Sequence, residues 1–454
     1  MIPHRAIIKN RLRKLADIVM GMDINNEYHE ISNINNPDIL RSFIQQRLRA
    51  LFLHAYHHTR YYHQIFDQIG IIQDDYVDLA LIKEIPVLTK EIIRKNFNEL
   101  ISDDYQKRGW FYNSSGGSTG EPIKLIQDKQ FLRWAKATNY YYYKNILGID
   151  QPAVKKVIVW GSERDIFTGT FGIKTKLSNY ITNTILLNSF RMTPEDIERY
   201  INTINEYKPE FIRGYAGSLY EICSYAEKND LSIYSPKIIE SAAETLNDEM
   251  RDQIERIFGT KLYNFYGSRE VSNLAGECKK GLMHPFMFWN YQELLDQHNQ
   301  HIKEGENGKV IVTNLFNYSM PLIRYEIGDT AILGPEQCSC GNVLPTYKKV
   351  TGRITDHFRL KDGTTIPAEF FIHLIGVVYL RGDILKFQVI QEDYEILKIL
   401  VVTNKNLTDS YMIDIESKIK VVMGPNCRII WEFIDDIPKT PSGKYLYTKS
   451  HIKT

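Results

Sequence analysis

Between residues 130 and 350, the sequence alternates short apolar runs with helices that have recognisable ends. Residues 157–160 (VIVW) are one such apolar run and predict a buried strand. A helix is predicted to begin at Thr193, because this capping residue is followed by Pro194 and by two acidic residues near the positive helix end. Alternation of this kind predicts an α/β domain whose polar sites lie where the strands end.

The pattern continues along the chain and changes near both ends. A second helix is predicted to begin near Thr245 and to end at Gly259, and residues 1–100 are predicted to be mostly helical. Further strands are predicted at residues 262–266, 309–313 and 330–333. The last hundred residues predict a small α+β unit, with strands at 387–390, 396–402 and 428–433 and a helix at 408–422. Charged and turn residues cluster at 352–356, so we place a large domain at residues 1–352 and a small one at 353–454.

The composition limits what kind of protein this chain can be. In 454 residues, 56 basic side chains nearly balance 55 acidic ones, which argues against a nucleic-acid partner. The longest nearly uncharged apolar stretch, residues 370–380, is too short to span a bilayer, which takes about 20 residues. Basic residues interrupt any signal peptide at the N-terminus, where we expect an amphipathic helix packed on the domain, with membrane-surface contact as the alternative. We expect a cytoplasmic protein without a transmembrane segment, monomeric or homodimeric.

Residues 113–122 (NSSGGSTGEP) combine three glycines with four hydroxyl side chains in a short loop. Glycines let backbone N–H groups approach an anion closely, and hydroxyl groups add further donors, a combination that suits polyphosphate. The spacing differs from the Walker pattern, because no Gly-Lys-Ser/Thr follows. Taken alone, such a segment is more often an ordinary loop.

Four more motifs follow this loop: YNFYGSRE at 263–270, LIRYEIGD at 322–329, TGRITD at 351–356 and IPKTPSGK at 437–444. In this order, the five motifs resemble the adenylate-forming superfamily of acyl-CoA synthetases, luciferases and peptide-synthetase adenylation domains. The form of the loop is most similar to the phenylacetate–CoA ligase branch, including its relatives in capsular-polysaccharide loci. The resemblance covers residues 85–450 and implies a large multi-sheet adenylate-forming domain followed by a small, mobile α+β lid domain.

The resemblance implies a site for ATP and Mg²⁺. Glu270 would hold the Mg²⁺ ion, since a hard carboxylate oxygen suits this cation. Asp329 would accept hydrogen bonds from both ribose hydroxyls. The phosphates would lie against the loop residues Ser114, Ser115, Gly116, Gly117, Ser118, Thr119 and Gly120. The nucleotide site would be completed by Ala243, Glu244, Tyr266, Gly267, Ser268 and Arg269.

The resemblance also implies two half-reactions, adenylation of a carboxylic acid and transfer of the acyl group to a nucleophile. Lys444 would neutralise charge growing on the α-phosphorus during adenylation, and Arg353 would contact the ribose or phosphate. The small domain would then rotate about a hinge at Thr355 and Asp356. The chain departs from the family pattern at Arg269, where a hydroxyl residue is usual, at Thr355, where an aspartate is common, and mildly at Ile123, where a lysine often stands.

The acid that is activated stays open in this reading. The pocket is expected at Tyr142, Trp160, Tyr215, Ala216, Gly217 and Phe265. Its tyrosines fit aromatic stacking and core packing equally well, and Glu163 or Arg213 could fix a polar substrate group. An aryl or arylacetic acid is the family default, and a small acyl or amino acid destined for a surface polysaccharide is the alternative.

The acceptor of the acyl group also stays open. Coenzyme A is the usual thiol in this family, but a carrier protein or a sugar amine remains an alternative. Two further alternatives are adenylylation of a substrate without a carboxylate and a catalytically inactive, zinc-stabilised binding protein.

Five cysteines are too few for a disulfide framework in so long a chain. Cys278 is followed six positions later by His284, and Cys338 and Cys340 lie together in the turn CSCGN. Thiolate and imidazole ligands in a tetrahedral set suit Zn²⁺, which predicts a structural zinc site. Zinc at similar cysteines in the phenylacetate–CoA ligase branch supports this prediction, and buried free thiols beside a core histidine are the alternative.

Overall fold

A computed structural model gives the fold. It describes residues 17–115, 123–150, 153–161, 179–190, 192–351, 358–366, 370–371, 374–375, 384–403, 407–437 and 447–452. The first part contains the helices α1 (Asn25–Ser32), α2 (Pro37–His58), α3 (Arg60–Ile69), α4 (Lys90–Lys95) and α5 (Phe97–Leu100), with 3-10 turns at Leu79–Glu84 and Tyr105–Arg108. A small hairpin of β1 (Ile72–Gln73) and β2 (Tyr76–Val77) follows α3. Among the described residues, every helix is too short or too polar to span a bilayer.

A buried arginine ties this helical part to the large sheet. Arg324 donates hydrogen bonds to the backbone carbonyls of Lys83 and Ile85, and its Nε lies 3.1 Å from the Glu293 carboxylate. The N–H of Leu88 in turn donates to the Arg324 carbonyl at 2.9 Å. Because a buried guanidinium is stable only when it is fully paired, these contacts fix the segment that leads directly into α4.

The ends of the glycine-serine loop are held by an antiparallel hairpin. Its strands are β3 (Phe111–Ser114) and β4 (Lys124–Gln127), and Ser114 pairs with Lys124. Beyond the last pair, the Ser115 N–H donates to the Ile123 carbonyl at 3.0 Å, and the Ile123 N–H donates to the Ser115 hydroxyl at 2.9 Å. The helix α6 (Lys129–Tyr141) follows, capped by Asp128, and continues into a π-helical turn at Tyr142–Leu147.

A single large sheet forms the centre of the chain, with eleven strands within the described residues. Its first strands and their helices are β5 (Lys156–Trp160), β6 (Thr184–Asn188), α7 (Pro194–Tyr207), β7 (Phe211–Tyr215), α8 (Ala216–Lys228), β8 (Ile238–Ala242), α9 (Asp248–Phe258) and β9 (Leu262–Ser268). Its remaining strands are β10 (Ser272–Glu277), β11 (Met283–Pro285), β12 (Asn290–Leu295), β13 (Asn307–Asn314), β14 (Tyr325–Leu333) and β15 (Tyr347–Thr351). The strand order is β12-β13-β14-β15-β11-β10-β9-β8-β7-β5-β6. Strands β5 to β9 run parallel, whereas the pairings from β9 to β12 are antiparallel.

The predicted α/β fold and its strands are confirmed. The helix start at Thr193 is also confirmed, with a reciprocal capping box in which the Thr193 and Asp196 side chains each accept from the other's backbone N–H. The second helix begins at Asp248 and not near Thr245, because Asn247 is the residue whose side chain caps it, accepting from Met250 at 2.8 Å.

The C-terminal part is a separate α+β unit, as predicted. It contains β16 (Phe358–Arg359), β17 (Thr365–Ile366), β18 (Ile384–Asp393), β19 (Ile396–Thr403), α10 (Asp409–Met423), β20 (Arg428–Phe433) and β21 (Thr448–Ser450). Its four-stranded sheet has the order β20-β19-β18-β21, and Ile415, Ile419 and Val422 of α10 lie in its core. Strand β21, which pairs in parallel with β18, was absent from the sequence prediction. The domain boundary predicted at 352–356 lies outside the described residues.

The C-terminal unit packs against the end of the parallel strands. Arg359 contacts the Glu221 carboxylate on α8 with both terminal nitrogens, at 2.6 and 3.3 Å. The Phe370 ring meets the Phe190 ring edge-on, with centroids 5.7 Å apart. Tyr215, the last residue of β7, is buried in the same apolar cluster as the core of the C-terminal unit. The small unit therefore lies over the edge where the site residues are expected.

Candidate active site

Three of the predicted site segments meet at the carboxyl ends of neighbouring parallel strands. Strand β8 lies between β7 and β9, and its last residue, Ala242, pairs with Tyr215 on one side and Phe265 on the other. The chain leaving β7 continues into Ala216 and Gly217, and the chain leaving β8 continues into Ala243 and Glu244. Because parallel strands end at one edge, the expected acid and adenine segments lie side by side, as a ligand site in an α/β sheet requires.

Glu244 is turned toward the first turn of α8. Its carboxylate accepts a hydrogen bond from the Gly217 N–H at 2.7 Å. The preceding residue, Ala243, has a φ of 69°, which is the left-handed region that a residue with a Cβ seldom adopts. Such a conformation costs roughly 1 kcal/mol or more. Strain of this kind is concentrated at sites where the backbone must present particular groups.

Tyr266 and Asp329 are brought together from different strands. The Tyr266 hydroxyl donates to the Asp329 carboxylate at 2.8 Å, which joins the end of β9 to β14. Gly267 follows Tyr266, and a Cβ there would come within 3.0 Å of the Ser272 carbonyl oxygen. Ser268 accepts a hydrogen bond from the Val271 N–H at 3.2 Å, and the next residue, Arg269, is exposed. The YGSRE motif is therefore a tight turn that directs Tyr266 toward Asp329.

Glu270 is buried beside a lysine that the sequence analysis did not single out. The Lys90 Nζ lies 3.7 Å from Glu270 Oε1, and both side chains are less than one tenth exposed. The Tyr325 hydroxyl donates to the same oxygen at 3.5 Å. Lysine is normally a surface residue, so nothing in the local sequence marks Lys90. The contacts of the preceding segment with Arg324 and with the backbone of Glu326 hold Lys90 at the sheet.

The hairpin that carries the glycine-serine loop is fastened next to Glu270. The Gln127 side-chain amide donates to the backbone carbonyls of Arg269 (3.1 Å) and Glu270 (2.9 Å), and the Asn113 amide donates to Arg269 at 3.0 Å. Ser114 is partly exposed, whereas Ser115 is fully buried and closes the neck of the loop. The remaining predicted loop residues lie outside the described residues: Gly116, Gly117, Ser118, Thr119 and Gly120.

The residues expected to line the acid pocket fall into two groups, an aromatic wall formed by Trp160, Tyr215 and Phe265 and a buried layer behind it that contains Tyr142. The Trp160 and Tyr215 rings lie 4.3 Å apart, and the Arg213 guanidinium lies over both the Trp160 and Phe265 rings. Tyr142, in contrast, is fully buried, and its hydroxyl donates to the Glu277 carbonyl at 3.0 Å. Its ring packs 5.3 Å from that of Phe265, so Tyr142 forms the layer behind this face.

The four predicted zinc ligands come together from three separate segments. Cys278 follows β10, His284 lies in β11, and Cys338 and Cys340 lie between β14 and β15. Their ligand atoms all lie within 4.8 Å of one another. The Sγ atoms of Cys278 and Cys338 are 3.7 Å apart, and Cys340 Sγ lies 3.3 Å from His284 Nε2. With Zn–S bonds of about 2.3 Å, a tetrahedral site has sulfur atoms about 3.7 Å apart, so these side chains fit Zn²⁺.

Backbone groups complete this cluster. The N–H of Lys280 donates to Cys278 Sγ and the N–H of Cys340 donates to Cys338 Sγ, both at 3.4 Å. His284 Nδ1 donates to the Leu344 carbonyl at 3.1 Å, which directs Nε2 toward the sulfur atoms. Burial opposes ionisation of Cys278, but the hydrogen bonds from His284 and Lys280 outweigh it and lower the pKa of this thiol. This environment thus favours the thiolate form of Cys278, the form in which a cysteine binds a metal.

A second group of His and Asp side chains is assembled differently. His54, His58 and Asp104 also lie close together. Burial and the neighbouring Arg108 lower the pKa of His54 to about 4, and its Nε2 lies 2.9 Å from the Tyr318 carbonyl. Arg108 donates to both oxygens of Asp104. These ligand atoms are already engaged within the protein, so the geometry favours a structural polar cluster here.

Known proteins are similar to this chain over most of its length. A family model described as the CapK C-terminal domain matches residues 358–451. Protein CapK from Staphylococcus aureus is 25% identical over 442 residues, which cover 94% of this chain and 92% of that protein. Phenylacetate-coenzyme A ligase from Escherichia coli (strain K12) is 24% identical over 390 residues, covering 84% and 83%. The crystal structure of 2-hydroxyisobutyryl-CoA ligase with 2-HIB-AMP and CoA has a TM-score of 0.57 at 16% identity and covers 90% of each chain.

The chain is a homologue of CapK and of the phenylacetate–coenzyme A ligases. Its fold is that of the adenylate-forming ligases, which the order of its motifs predicted. The structure brings together Ala243, Glu244, Tyr266 and Asp329 at one edge and Glu270 beside the loop hairpin. Arg353, Thr355, Asp356 and Lys444 lie outside the described residues, so their roles stay predictions.

Proposed function

We propose that this protein activates a carboxylic acid with ATP, forming an acyl-adenylate and pyrophosphate, and then transfers the acyl group to the thiol of coenzyme A. The observation that carries the proposal is the Tyr266–Asp329 hydrogen bond, which lies on the same sheet edge as the Ala243–Glu244 turn. The phenylacetate–CoA ligase homologues and the fold shared with a ligase structure that contains an acyl-AMP and CoA support it.

The nucleotide would be bound by groups whose chemistry matches its parts. A carboxylate has acceptor positions on two oxygens, so Asp329 can accept from Tyr266 and from the ribose hydroxyls together. The adenine would lie against the left-handed turn at Ala243 and Glu244 and the ring of Tyr266. The triphosphate would then extend toward the glycine-serine loop, whose hairpin is fastened at Arg269 and Glu270.

Mg²⁺ would be held by Glu270, because its carboxylate oxygens are the hard ligands that this cation prefers. When bound, Mg²⁺ offsets the charge of the phosphates and of the pyrophosphate that leaves. The buried Lys90, 3.7 Å from Glu270, adds a positive charge from the protein itself at the same place. We infer that Lys90 orients the Glu270 carboxylate toward the phosphates.

The step at the α-phosphorus would depend on Lys444. A lysine ammonium placed there stabilises the negative charge that grows as the acid carboxylate attacks. Arg353 would contact the ribose or the phosphate from the boundary segment. Rotation of the small domain about Thr355 and Asp356 would then move Lys444 away from the site. A different surface of this domain would face the site and let the thiol enter.

The cluster of Cys278, His284, Cys338 and Cys340 would hold a structural Zn²⁺ ion. All four ligand positions are supplied by the protein, which is typical of structural and not of catalytic zinc. The ion would tie the loop before β15 to the β10–β11 hairpin, directly after the strand turn that carries Glu270. Zinc content of the purified protein, measured by mass spectrometry of the metal, tests this assignment.

A second candidate acceptor is an amine or a carrier-protein thiol used in surface polysaccharide synthesis. It is favoured by the similarity to CapK, which covers 94% of the chain, and by the match of residues 358–451 to the CapK C-terminal domain. The small domain contributes to acceptor access in this reaction scheme, so a specialised C-terminal domain fits a specialised acceptor.

The experiment that tests the proposed function is acid-dependent exchange of labelled pyrophosphate into ATP, run without any acceptor over aryl, arylacetic, short-chain and amino acids. We expect exchange with a subset of these acids. Replacing Glu270 by Gln should abolish it, whereas replacing the exposed Tyr76 by Phe should leave it unchanged. No exchange with any acid by a protein that binds Mg-ATP would instead favour a substrate without a carboxylate. Addition of coenzyme A or of a sugar amine then identifies the acceptor by the product formed.

A further inference from the structure

The expected acid pocket contains a charged side chain held in a fixed position. Arg213 Nε lies 3.1 Å from Glu240 Oε1, and Arg213 Nη1 donates to the Tyr143 hydroxyl at 3.2 Å. The Tyr143 hydroxyl donates in turn to the same Glu240 oxygen, also at 3.2 Å. The three side chains therefore form a closed triangle of hydrogen bonds that leaves the guanidinium little freedom to move.

The sheet register places this triangle on the wall of the pocket. Side chains alternate along a strand, so Arg213 and Tyr215 of β7 point to the same face. Arg213 pairs with Glu240 of β8, and the guanidinium carbon lies 5.5 Å from the Trp160 ring centroid and 5.1 Å from that of Phe265. Arg213 thus lies next to the aromatic wall formed by Trp160, Tyr215 and Phe265, two residues before Tyr215 on β7.

Arg213 and Glu240 differ in their exposure to solvent. The Arg213 side chain is 24% exposed, whereas the Glu240 side chain is fully buried. Glu240 therefore serves as the internal partner, and Arg213 presents the accessible side of the pair. Within the part of the chain that the structure describes, the contacts of Arg213 are to Glu240, Tyr143 and the two rings, which leaves donor capacity at Nη2.

Stability alone does not account for this arrangement. A buried ion pair is often no more stabilising than apolar residues of the same volume, so a pocket for a plain aryl or alkyl acid gains nothing from it. Such an acid would also strip water from the guanidinium without replacing the lost hydrogen bonds, which is unfavourable. A ligand atom that accepts a hydrogen bond removes this cost and gains orientation from the fixed donor.

We infer that the acid activated by this protein carries an oxygen acceptor at its distal end, which Arg213 binds. This inference rests on the proposed function, since it assigns the substrate class of the same site. Glu240 already balances the charge of Arg213, so a neutral carbonyl or hydroxyl oxygen is favoured over a second carboxylate. Arg213 is accordingly a specificity residue, and the substrate class is keto, hydroxy or amide-bearing carboxylic acids.

The test compares matched acids in the pyrophosphate exchange assay. The pairs are 5-oxohexanoate with hexanoate and 4-hydroxyphenylacetate with phenylacetate, with glutarate as the dicarboxylic comparison. For a hydrogen bond to a charged group, we expect the polar member of at least one pair to be preferred about 10- to 100-fold in kcat/KM. The preference should fall to nearly one in Arg213→Met/Glu240→Gln, which removes both charges so that no buried carboxylate is left unpaired. Glu240→Gln, which keeps Arg213, is the matched control and should retain the preference.

The outcomes separate this inference from the proposed function. Exchange that favours the apolar member of both pairs, or a preference that the double variant leaves unchanged, overturns the role of Arg213 while the acid-activating function stands. A preference for glutarate overturns the assignment of a neutral acceptor. If no acid supports exchange, binding of the two 5′-O-(N-acylsulfamoyl)adenosines made from hexanoate and 5-oxohexanoate decides. Tighter binding of the 5-oxo compound that is lost in the double variant supports the inference, and equal or absent binding overturns it.

Discussion

The hydrogen bond between Tyr266 and Asp329 allows a quantitative prediction about ATP binding. Tyr266→Phe keeps the ring but removes the hydroxyl that donates to Asp329 at 2.8 Å. A hydrogen bond to a charged group contributes about 1.5–3 kcal/mol when it is buried. Both side chains here are only partly buried, so we expect about 1 kcal/mol, which corresponds to roughly fivefold weaker ATP binding.

The same contact predicts that the two residues act together. Asp329→Asn removes the acceptor charge for the ribose hydroxyls as well as for Tyr266, so we expect ATP binding to weaken by about 10- to 100-fold. The double variant should then bind ATP no more weakly than Asp329→Asn alone, because Tyr266 acts by orienting that carboxylate. Isothermal titration with Mg-ATP measures all three affinities, and Tyr76→Phe is the control for loss of an exposed tyrosine hydroxyl. Additive effects in the double variant would refute the reasoning, since they would mean that Tyr266 contacts the nucleotide independently.

Three further predictions concern Lys444, the Cys/His cluster and the buried Glu240. Lys444→Ala should slow adenylation by at least about 100-fold, the loss typical of one transition-state donor, and should leave ATP binding measured by titration largely intact. Cys338→Ser should reduce bound zinc and lower the melting temperature, whereas Cys223→Ala, at a buried cysteine outside the cluster, should retain the metal; equal zinc content in both variants would contradict the four-ligand site. Burial raises the pKa of Glu240 from 4.5 to about 7, against the opposing effects of Arg213 and Tyr143. The folded state therefore binds more protons than the unfolded state between these values, so stability should fall as pH rises through this range. In Glu240→Gln, the slope of denaturation midpoint against pH should flatten; an unchanged slope would assign it to other groups.

Features that depend on neighbouring residues were predictable from the sequence. The capping box at Thr193 and Asp196 was predicted because its signal lies within four residues, and β5 was predicted from a single apolar run. The four members of the Cys/His cluster could also be identified, since cysteine is rare in this chain and each half of the cluster is a short motif. In each case, the residues that identify the feature are close together in the sequence, and their combination is uncommon elsewhere in the chain.

Features that depend on distant pairing were not predictable in this way. Lys90 lies beside Glu270 in a segment that Arg324 binds through its backbone carbonyls, and these partners are more than two hundred residues apart in the chain. Strand β21 is three residues long and is defined by its pairing with β18. Tyr142 illustrates the converse difficulty. A tyrosine in an aromatic run fits a pocket and a core equally well, and only the packing against Phe265 distinguishes them.

Helix α8 has one end at the sheet edge where the nucleotide is proposed to bind and one side against the small domain. Gly217, which donates to Glu244, and Glu221, which binds Arg359, are one turn apart on this helix, a rise of about 6 Å. A helix does not stretch over such a distance. A displacement of its first turn is therefore transmitted to the contact between Glu221 and Arg359 of the small domain. In the proposed mechanism, in which the small domain rotates, occupancy of the site and orientation of the small domain would be linked equilibria, and linkage is reciprocal. A substitution at Glu221, which lies outside the expected nucleotide site, should for this reason change the affinity for ATP, by at most the factor by which ATP shifts the equilibrium between orientations of the small domain.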